Sequence, residues 1–417
     1  MGSRVSRSSG RAHPRPRGPP GTAAGRGSAD SARRTVLVRH HQPTSGCVHP
    51  RDPRPSNAVR ILFVNPGGDA AGGAERSLEL LVRGLVDRGH DAAFMSLTAG
   101  TAAAAFGAAG ATVLADGFDT GLAGSDRHAS SARFALNAAS MTGAVVRMAR
   151  GVSAMAANYN ADIVHSNGLR SHALTPYLAR RWPVVWSLRE RPANGTARAI
   201  IAATSRSTSA IAATSNFAAQ SVSHCRRPVY VVDDPIEPMQ FVGRAQARSA
   251  LGLPLDRRVV VMLAHLHPTK GHDVAVEAWA QLPHPRPLLV LAGGDLYGEA
   301  SVVYRRELGA LITRHNLADD VWLVGLVPEV STLLSASDLL IHPASYPEGF
   351  GRTIAEAQTA GIPVIATNLG GVRELIADGD SGLLFEPSDP SALARLVGEV
   401  FSQQALAERL SIGGRRT

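Results

Sequence analysis

The stretch LLIHPASYPEGFGRTIAEA, residues 339–357, decides the fold of this chain. It opens with an apolar run of the kind found in buried parallel strands. A loop with two glycines follows, and a helix is predicted to begin near Arg352. Glycines let backbone N–H groups approach a ligand closely, and a helix N-terminus attracts anions such as a diphosphate. The stretch therefore predicts a strand, an anion-binding loop and a helix in that order.

The same alternation of apolar runs and amphipathic segments continues on both sides of this stretch. In the first half of the chain, strands are predicted at 59–64, 92–97, 112–114, 163–165, 184–186, 211–214 and 229–232, and helices at 75–88 and 127–158. In the second half, strands are predicted at 259–263, 288–292, 321–324, 339–342, 364–366 and 383–385, with helices between them. This pattern predicts an α/β protein with two Rossmann-like domains facing across a cleft, where ligands bind at the carboxyl ends of the strands.

Two prolines mark the boundary between the predicted domains. Pro235 and Pro238 interrupt the alternation, so residues 235–245 form the predicted linker. The chain is therefore divided into a tail at 1–58, an N-terminal Rossmann-like domain at 59–235 and a C-terminal Rossmann-like domain at 236–417.

The tail holds the whole excess of positive charge. Residues 1–60 contain twelve arginines, no lysine and two aspartates, whereas the remaining residues carry 31 basic and 32 acidic side chains. A composition rich in Arg, Pro, Gly and Ser predicts a disordered basic tail. Contact of the tail with RNA or anionic lipid is the functional alternative, and a disordered leader is the favoured interpretation. The rest of the chain has no net basic excess, so no nucleic-acid partner is expected.

The sequence contains no transmembrane or secretory signal that we can recognise. No run approaches 18 uncharged apolar residues, and the first residues lack an apolar core. Cys47 and Cys225 match no metal or redox spacing. We therefore expect a cytoplasmic protein, and a peripheral contact with the inner face of the membrane stays open.

Two glutamates carry most of the chemistry that the sequence suggests. Glu348 lies in the loop before the predicted helix, and Glu356 lies about one turn inside it, on the face that Arg352 and Thr353 share. Carboxylates accept strong hydrogen bonds from hydroxyl groups, which suits a ligand with a ribose and a hexose. The structural alternative is a solvated loop residue and a surface helix residue.

With seven residues between them, Glu348 and Glu356 resemble the Glu-x7-Glu motif of family-4 retaining glycosyltransferases with the GT-B fold. The run AGIPVIATNLGGVRE at 360–374 and the pattern DG followed by GLL at 378–384 resemble the same family. The resemblance implies a hexosyltransferase that uses a nucleotide-sugar donor, needs no metal or other cofactor, and acts on a carbohydrate or lipid-linked acceptor. Biosynthesis of cell-envelope polysaccharide is the process that it suggests.

The resemblance also implies roles for the residues of the motif. Glu348 contacts the transferred sugar, and Glu356 contacts the ribose. Phe350, Gly351 and Arg352, with Thr353 beside them, border the sugar and the diphosphate.

Lys270 is the only lysine in the chain, against 42 arginines. A site that needs a compact ammonium rather than a planar guanidinium explains such an exception. Members of the family usually carry an arginine and a lysine five residues apart that clamp the diphosphate, and Lys270 matches the lysine, whereas His265 replaces the arginine. The histidines around Lys270 match no zinc spacing, and Asp378–Asp380 is predicted to be a turn, so no metal site is predicted.

The N-terminal half contributes weaker signals. Gly72 and Gly73 open the first helix, and the resemblance places this loop over the phosphates of the donor. His165 ends a predicted strand, and Arg189 and Glu190 stand where many members have His-Asp, so these three are assigned to the acceptor side. Members usually end in a helix that crosses back to the N-terminal domain, and we expect this helix to be missing.

Three functions remain open from the sequence. The favoured one is a retaining glycosyltransferase. A catalytically silent nucleotide-sugar-binding protein of the same fold is motivated by His265 and by the Arg189-Glu190 pair. A nucleotide-sugar epimerase or phosphorylase on the same architecture is the third.

Overall fold

The computed structural model describes residues 57–68, 72–117, 138–192, 195–296 and 298–417. These residues form two parallel sheets with helices packed on them. The predicted tail at 1–58, apart from its last two residues, and residues 127–137 of the predicted second helix lie outside the described residues.

The N-terminal sheet has seven strands in the order β3-β2-β1-β4-β5-β6-β7, and all neighbours are parallel. The strands are β1 Arg60–Asn65, β2 Asp91–Ser96, β3 Thr112–Asp116, β4 Ile163–Asn167, β5 Val184–Leu188, β6 Ala210–Ala213 and β7 Val229–Val231. The described helices of this half are α1 Gly73–Val86, α2 Ala102–Ala108, α3 Ala138–Tyr159, α4 Leu169–His172, α5 Thr175–Leu178, α6 Gly195–Thr204 and α7 Asn216–Ala219.

The C-terminal sheet has six parallel strands in the order β10-β9-β8-β11-β12-β13. The strands are β8 Val259–Leu263, β9 Leu288–Ala292, β10 Val321–Gly325, β11 Leu339–His342, β12 Val364–Thr367 and β13 Leu383–Phe385. The described helices are α8 Arg244–Leu251, α9 His272–Gln281, α10 Glu299–Arg314, α11 Val330–Ala336, α12 Arg352–Ala360, α13 Val372–Leu375, α14 Pro390–Ser402 and α15 Gln404–Gly414. A short 3₁₀ turn, Pro268–Lys270, precedes α9.

The predicted strands are all present, and their ends differ from the prediction by at most two residues. They could be predicted because both faces of these sheets are covered by helices, so that even consecutive strand residues are buried, as in β8 and β9. Helix α1 begins at Gly73 rather than at residue 75, because Gly72 is its extended N-cap. The α/β fold of two Rossmann-like domains is confirmed.

Helix α15 belongs to the packing of the C-terminal half. It contacts α14, α12 and β12, and Leu406 and Leu410 are buried in the same apolar cluster as β11 and β12. No helix in the described part of the chain is both long enough and apolar enough to cross a lipid bilayer.

Candidate active site

The loops that follow β8 and β11 come together, since these two strands are neighbours in the C-terminal sheet. The amide of Ser345 donates a hydrogen bond to the carbonyl oxygen of Thr269 at 3.0 Å. Gly271 has a φ of 77°, and a β-carbon there would clash with the carbonyl oxygen of Pro343. A glycine is required at this close approach. The two predicted motifs therefore form one site.

Lys270 and Glu348 form an ion pair at the centre of this site. The Lys270 ammonium contacts Oε1 of Glu348, and Nε2 of His342 lies 3.4 Å from the same oxygen. Burial alone would raise the pKa of Glu348, but Lys270, with a contribution from His342, outweighs it and holds the pKa well below its usual range. Glu348 is therefore an ionised hydrogen-bond acceptor at neutral pH.

His265 does not supply the positive charge of the arginine that it replaces. Burial, followed by the charge of Lys270, lowers the pKa of His265 to about 3. The ring is therefore neutral at physiological pH, and the cation that faces this loop is Lys270.

Arg189 does not bring a positive charge to this loop either. Its guanidinium forms an ion pair with Asp234, and its Nε donates to Oδ1 of Asn167 at 3.0 Å. Asn167 in turn donates to Oδ1 of Asn65 at 2.7 Å. Arg189 is thus held at the carboxyl edge of the N-terminal sheet with its charge balanced.

Arg352 connects Glu356 to the N-terminal half. One guanidinium nitrogen lies 3.1 Å from Oε1 of Glu356, and another donates to Oγ of Ser77 at 2.8 Å and to the carbonyl oxygen of Pro235 at 2.6 Å. A β-carbon at Gly73 would lie 3.2 Å from Cδ of Arg352. The sequence predicted only that the backbone at Arg352 borders the ligand, and the reach of its side chain across to α1 was missed.

Burial raises the pKa of Glu356, against the lowering effect of Arg352. The two glutamates of the motif therefore lie in different environments. Glu348 is dominated by an ammonium, and Glu356 by burial next to a guanidinium that is shared with the N-terminal half.

The other predicted residues of the C-terminal loop also lie in this region. Thr353 places its hydroxyl oxygen 3.4 Å from Nδ1 of His342, and Phe350 is buried. Gly351 caps α12 with a φ of 110°.

The acceptor-side predictions fall in two environments. His165 is buried at the end of β4, where its Nε2 lies 2.8 Å from Oγ of Ser187, and burial lowers its pKa to about 3. Glu190 is exposed. Gly72, which was assigned to the donor side, is the N-cap of α1, and a β-carbon there would clash with the carboxylate of Glu75. His165 is therefore part of a packed polar layer of the N-terminal sheet.

Direct contacts between the two halves were not predicted. A β-carbon at Gly349 would clash with the carbonyl oxygen of Arg189, and one at Gly371 would lie 3.1 Å from Oγ of Ser215. The carboxylate of Glu374 accepts hydrogen bonds from the amides of Asn216 and Phe217 at 2.7 and 2.8 Å. Glu374 of the C-terminal half thus caps the first turn of α7 in the N-terminal half.

Replacing Glu374 by alanine is expected to loosen this junction. The amides of Asn216 and Phe217 lose a charged acceptor, which costs about 1–2 kcal/mol at a helix N-terminus. Hydrogen exchange at these two amides should rise by about five- to thirtyfold. Asp389→Ala is the matched control, since Asp389 caps α14 within the C-terminal half and accepts from Ala392 at 2.9 Å. Equal exchange at residues 216 and 217 in Glu374→Ala and the unmodified protein would contradict this assignment.

Each half of the chain is similar to a known protein family. Residues 243–417 match the family model of glycosyl transferases group 1, and residues 71–238 match that of Glycosyltransferase Family 4. Each half is thus similar to a glycosyltransferase family model. Within the described residues no cluster of three or more potential metal ligands is found.

Curated relatives match part of the chain. The D-inositol 3-phosphate glycosyltransferase of Xylanimonas cellulosilytica is 33% identical over 183 residues, which are 43% of each chain. The enzyme of the same name from Streptomyces avermitilis is 35% identical over 175 residues, 40% of this chain and 37% of the relative. The chain thus spans less than half the length of these relatives.

Solved structures match nearly the whole fold. HepE from Anabaena, in complex with UDP and glucose, has a TM-score of 0.72 at 23% identity, covering 86% of this chain and 94% of HepE. Sucrose-phosphate synthase from Thermosynechococcus elongatus has a TM-score of 0.71 at 20% identity, covering 86% and 93%. These structural matches confirm the GT-B fold.

Proposed function

We propose that this protein is a glycosyltransferase that transfers a sugar from a nucleotide-sugar donor to a hydroxyl group of an acceptor, with retention of the anomeric configuration. The observation that carries the proposal is the convergence of Lys270 and Glu348 at the carboxyl ends of β8 and β11, in front of helix α12. The glycosyltransferase domains matched by both halves support it.

In this proposal the C-terminal half stabilises the leaving group. The bond between the anomeric carbon of the sugar and the diphosphate breaks, and negative charge develops on the diphosphate oxygen. Lys270 and the N-terminal amides of α12 are the positive groups beside this position. The acceptor oxygen forms the new bond to the anomeric carbon, and its proton is taken up by the departing diphosphate.

Glu348 orients the sugar in this mechanism. As an ionised carboxylate it accepts hydrogen bonds from sugar hydroxyls, and Glu356 does the same for the ribose. The two glutamates thus serve different parts of one donor, so the logic of paired carboxylates in glycoside hydrolases does not apply. We assign no metal or cofactor to the reaction.

We propose only the chemical classes of the donor and the acceptor. The UDP and UDP-glucose complexes of HepE make a uridine nucleotide the first donor to test. The acceptor is proposed to be a carbohydrate or a lipid-linked sugar, and the names of the curated relatives add D-inositol 3-phosphate to the test. The reaction is proposed to take place in the cytoplasm, with a peripheral membrane contact for a lipid-linked acceptor.

The experiment is a panel of UDP-, GDP- and ADP-sugars, with release of nucleoside diphosphate measured in the presence and absence of EDTA. We expect slow release from one donor class without acceptor, faster release with a matching acceptor, and no effect of EDTA. Binding of a donor without release of nucleoside diphosphate favours the silent nucleotide-sugar-binding protein. The neutral His265 ring and the ion pair of Arg189 with Asp234 support this alternative. If the protein neither binds nor cleaves any donor, both the glycosyltransferase and the nucleotide-sugar-binding protein are excluded.

A further inference from the structure

His342 is a buried polar side chain that the mechanism above does not use. It ends β11 and is only 5% exposed. Its Nε2 makes no hydrogen bond to any residue in the described part of the chain. Buried polar atoms without a partner are rare and ask for an explanation. The atom faces Glu348, with 3.4 Å between Nε2 and Oε1.

The second ring nitrogen of His342 is occupied from the opposite side. Nδ1 lies 3.4 Å from the hydroxyl oxygen of Thr353 in the first turn of α12. The hydrogen bond at one ring nitrogen decides which atom presents a proton at the other. The Thr353 hydroxyl can donate or accept, whereas the ionised Glu348 carboxylate only accepts, so the two contacts together favour a proton on Nε2 that is directed at Glu348. Both 3.4 Å distances exceed those of ordinary hydrogen bonds. Contacts of catalytic groups often shorten to hydrogen bonds in the complex with substrate.

Glu348 needs such a second contact if Lys270 serves the diphosphate. Lys270 and His342 both contact the same oxygen, Oε1. A bound diphosphate competes for the hydrogen-bond donors of the ammonium, which has three. The ion pair between Lys270 and Glu348 is then weaker while the donor is bound, which is when the carboxylate has to orient the sugar. A ring that is fixed by burial and by Thr353 does not move toward the diphosphate.

We infer that His342 is a positioning residue for Glu348, aligned by Thr353. Its Nε2 holds Oε1 of Glu348 in place and leaves Oε2 for a hydroxyl of the transferred sugar. This inference rests on the proposed function, because it assigns Glu348 to the sugar. His342 itself touches neither the donor nor the acceptor.

The kinetic test compares His342→Phe, His342→Gln, Thr353→Val and the double variant His342→Phe/Thr353→Val, with the donor found in the panel. His342→Phe should lower kcat by about tenfold or more and change the Kd for nucleoside diphosphate by less than about threefold. His342→Gln should recover much of the activity, since its amide can donate to Glu348. Thr353→Val should lower kcat less, and the double variant should match His342→Phe because both residues act through one carboxylate.

His315→Phe, at the end of α10, is the control for introducing a phenylalanine, and thermal unfolding is measured for every variant. Unchanged kcat in a folded His342→Phe protein overturns the inference. The inference is also overturned if His342→Phe loses kcat and nucleotide affinity to the same extent and His342→Gln recovers neither. Such a result indicates that His342 has only a structural role.

A second readout does not depend on turnover. Nitrogen NMR of labelled protein, with His342 assigned by comparison with His342→Gln, should show a protonated Nε2 at neutral pH. An unprotonated Nε2 overturns the inference whether or not the protein is active. Absence of donor binding and turnover in the unmodified protein, by contrast, counts against the proposed function.

Discussion

Replacing Lys270 by alanine is expected to weaken the binding of nucleoside diphosphate by about 1.5–3 kcal/mol, the range for hydrogen bonds to charged groups. This corresponds to a roughly ten- to hundredfold rise in Kd. The loss has two causes. The ammonium no longer contacts the diphosphate, and Glu348, the ion-pair partner of Lys270, is left as an uncompensated negative charge near it.

The second cause can be separated from the first by a double variant. Removing the charge in Lys270→Ala/Glu348→Gln should restore part of the nucleotide affinity that Lys270→Ala loses, because the repulsion disappears. Lys270→Arg is the charge-preserving control, and a planar guanidinium should recover only part of the affinity. Calorimetry with UDP and GDP measures all four proteins. An affinity that does not change in Lys270→Ala would place the diphosphate elsewhere.

The meeting of Lys270 and Glu348 was predictable although 78 positions separate them. Each follows the end of a buried apolar run, and parallel strands bring their carboxyl ends to one edge of the sheet. The pairing of β8 with β11 then places the two loops side by side. Apolar runs and glycine positions are local signals, so this part of the site could be predicted from the sequence.

The charge states and ion-pair partners of the site residues could not be predicted from the sequence. The charge of His265 depends on its burial and on the ammonium beside it, and neither can be read from the residue type. The Arg189 side chain could have faced the diphosphate, but Asp234, from the segment after β7, pairs with it. Such partners lie far apart in the sequence, and no spacing rule connects them.

Contacts between the two halves were missed for a related reason. Arg352 reaches Ser77, and Glu374 caps α7, only because the two sheets meet in one particular orientation. Each residue lies in a stretch that also has a role within its own half. A motif states which backbone segment borders a ligand, whereas the direction of a long side chain depends on the tertiary packing around it.

Substitutions of Glu348 and Glu356 are expected to affect different quantities, turnover for Glu348 and nucleotide affinity for Glu356. Glu348→Gln is expected to leave the Kd for nucleoside diphosphate nearly unchanged and to lower turnover by about a hundredfold, because a neutral amide positions the sugar poorly. Glu356→Ala is expected to weaken nucleoside diphosphate and intact donor alike, since both carry the ribose. The loss should stay near 1–2 kcal/mol, because Arg352 keeps its contacts with Ser77 and Pro235.

Calorimetry with nucleoside diphosphate and a turnover assay are carried out on both variants. Glu399→Gln is the control, because Glu399 pairs with Arg395 on the exposed face of α14. If Glu348→Gln lost nucleotide affinity as severely as Glu356→Ala and kept its turnover, the two roles would be reversed. If neither variant changed either quantity, the donor would bind away from α12. The different environments of the two carboxylates, one beside an ammonium and one buried beside a shared guanidinium, favour the split.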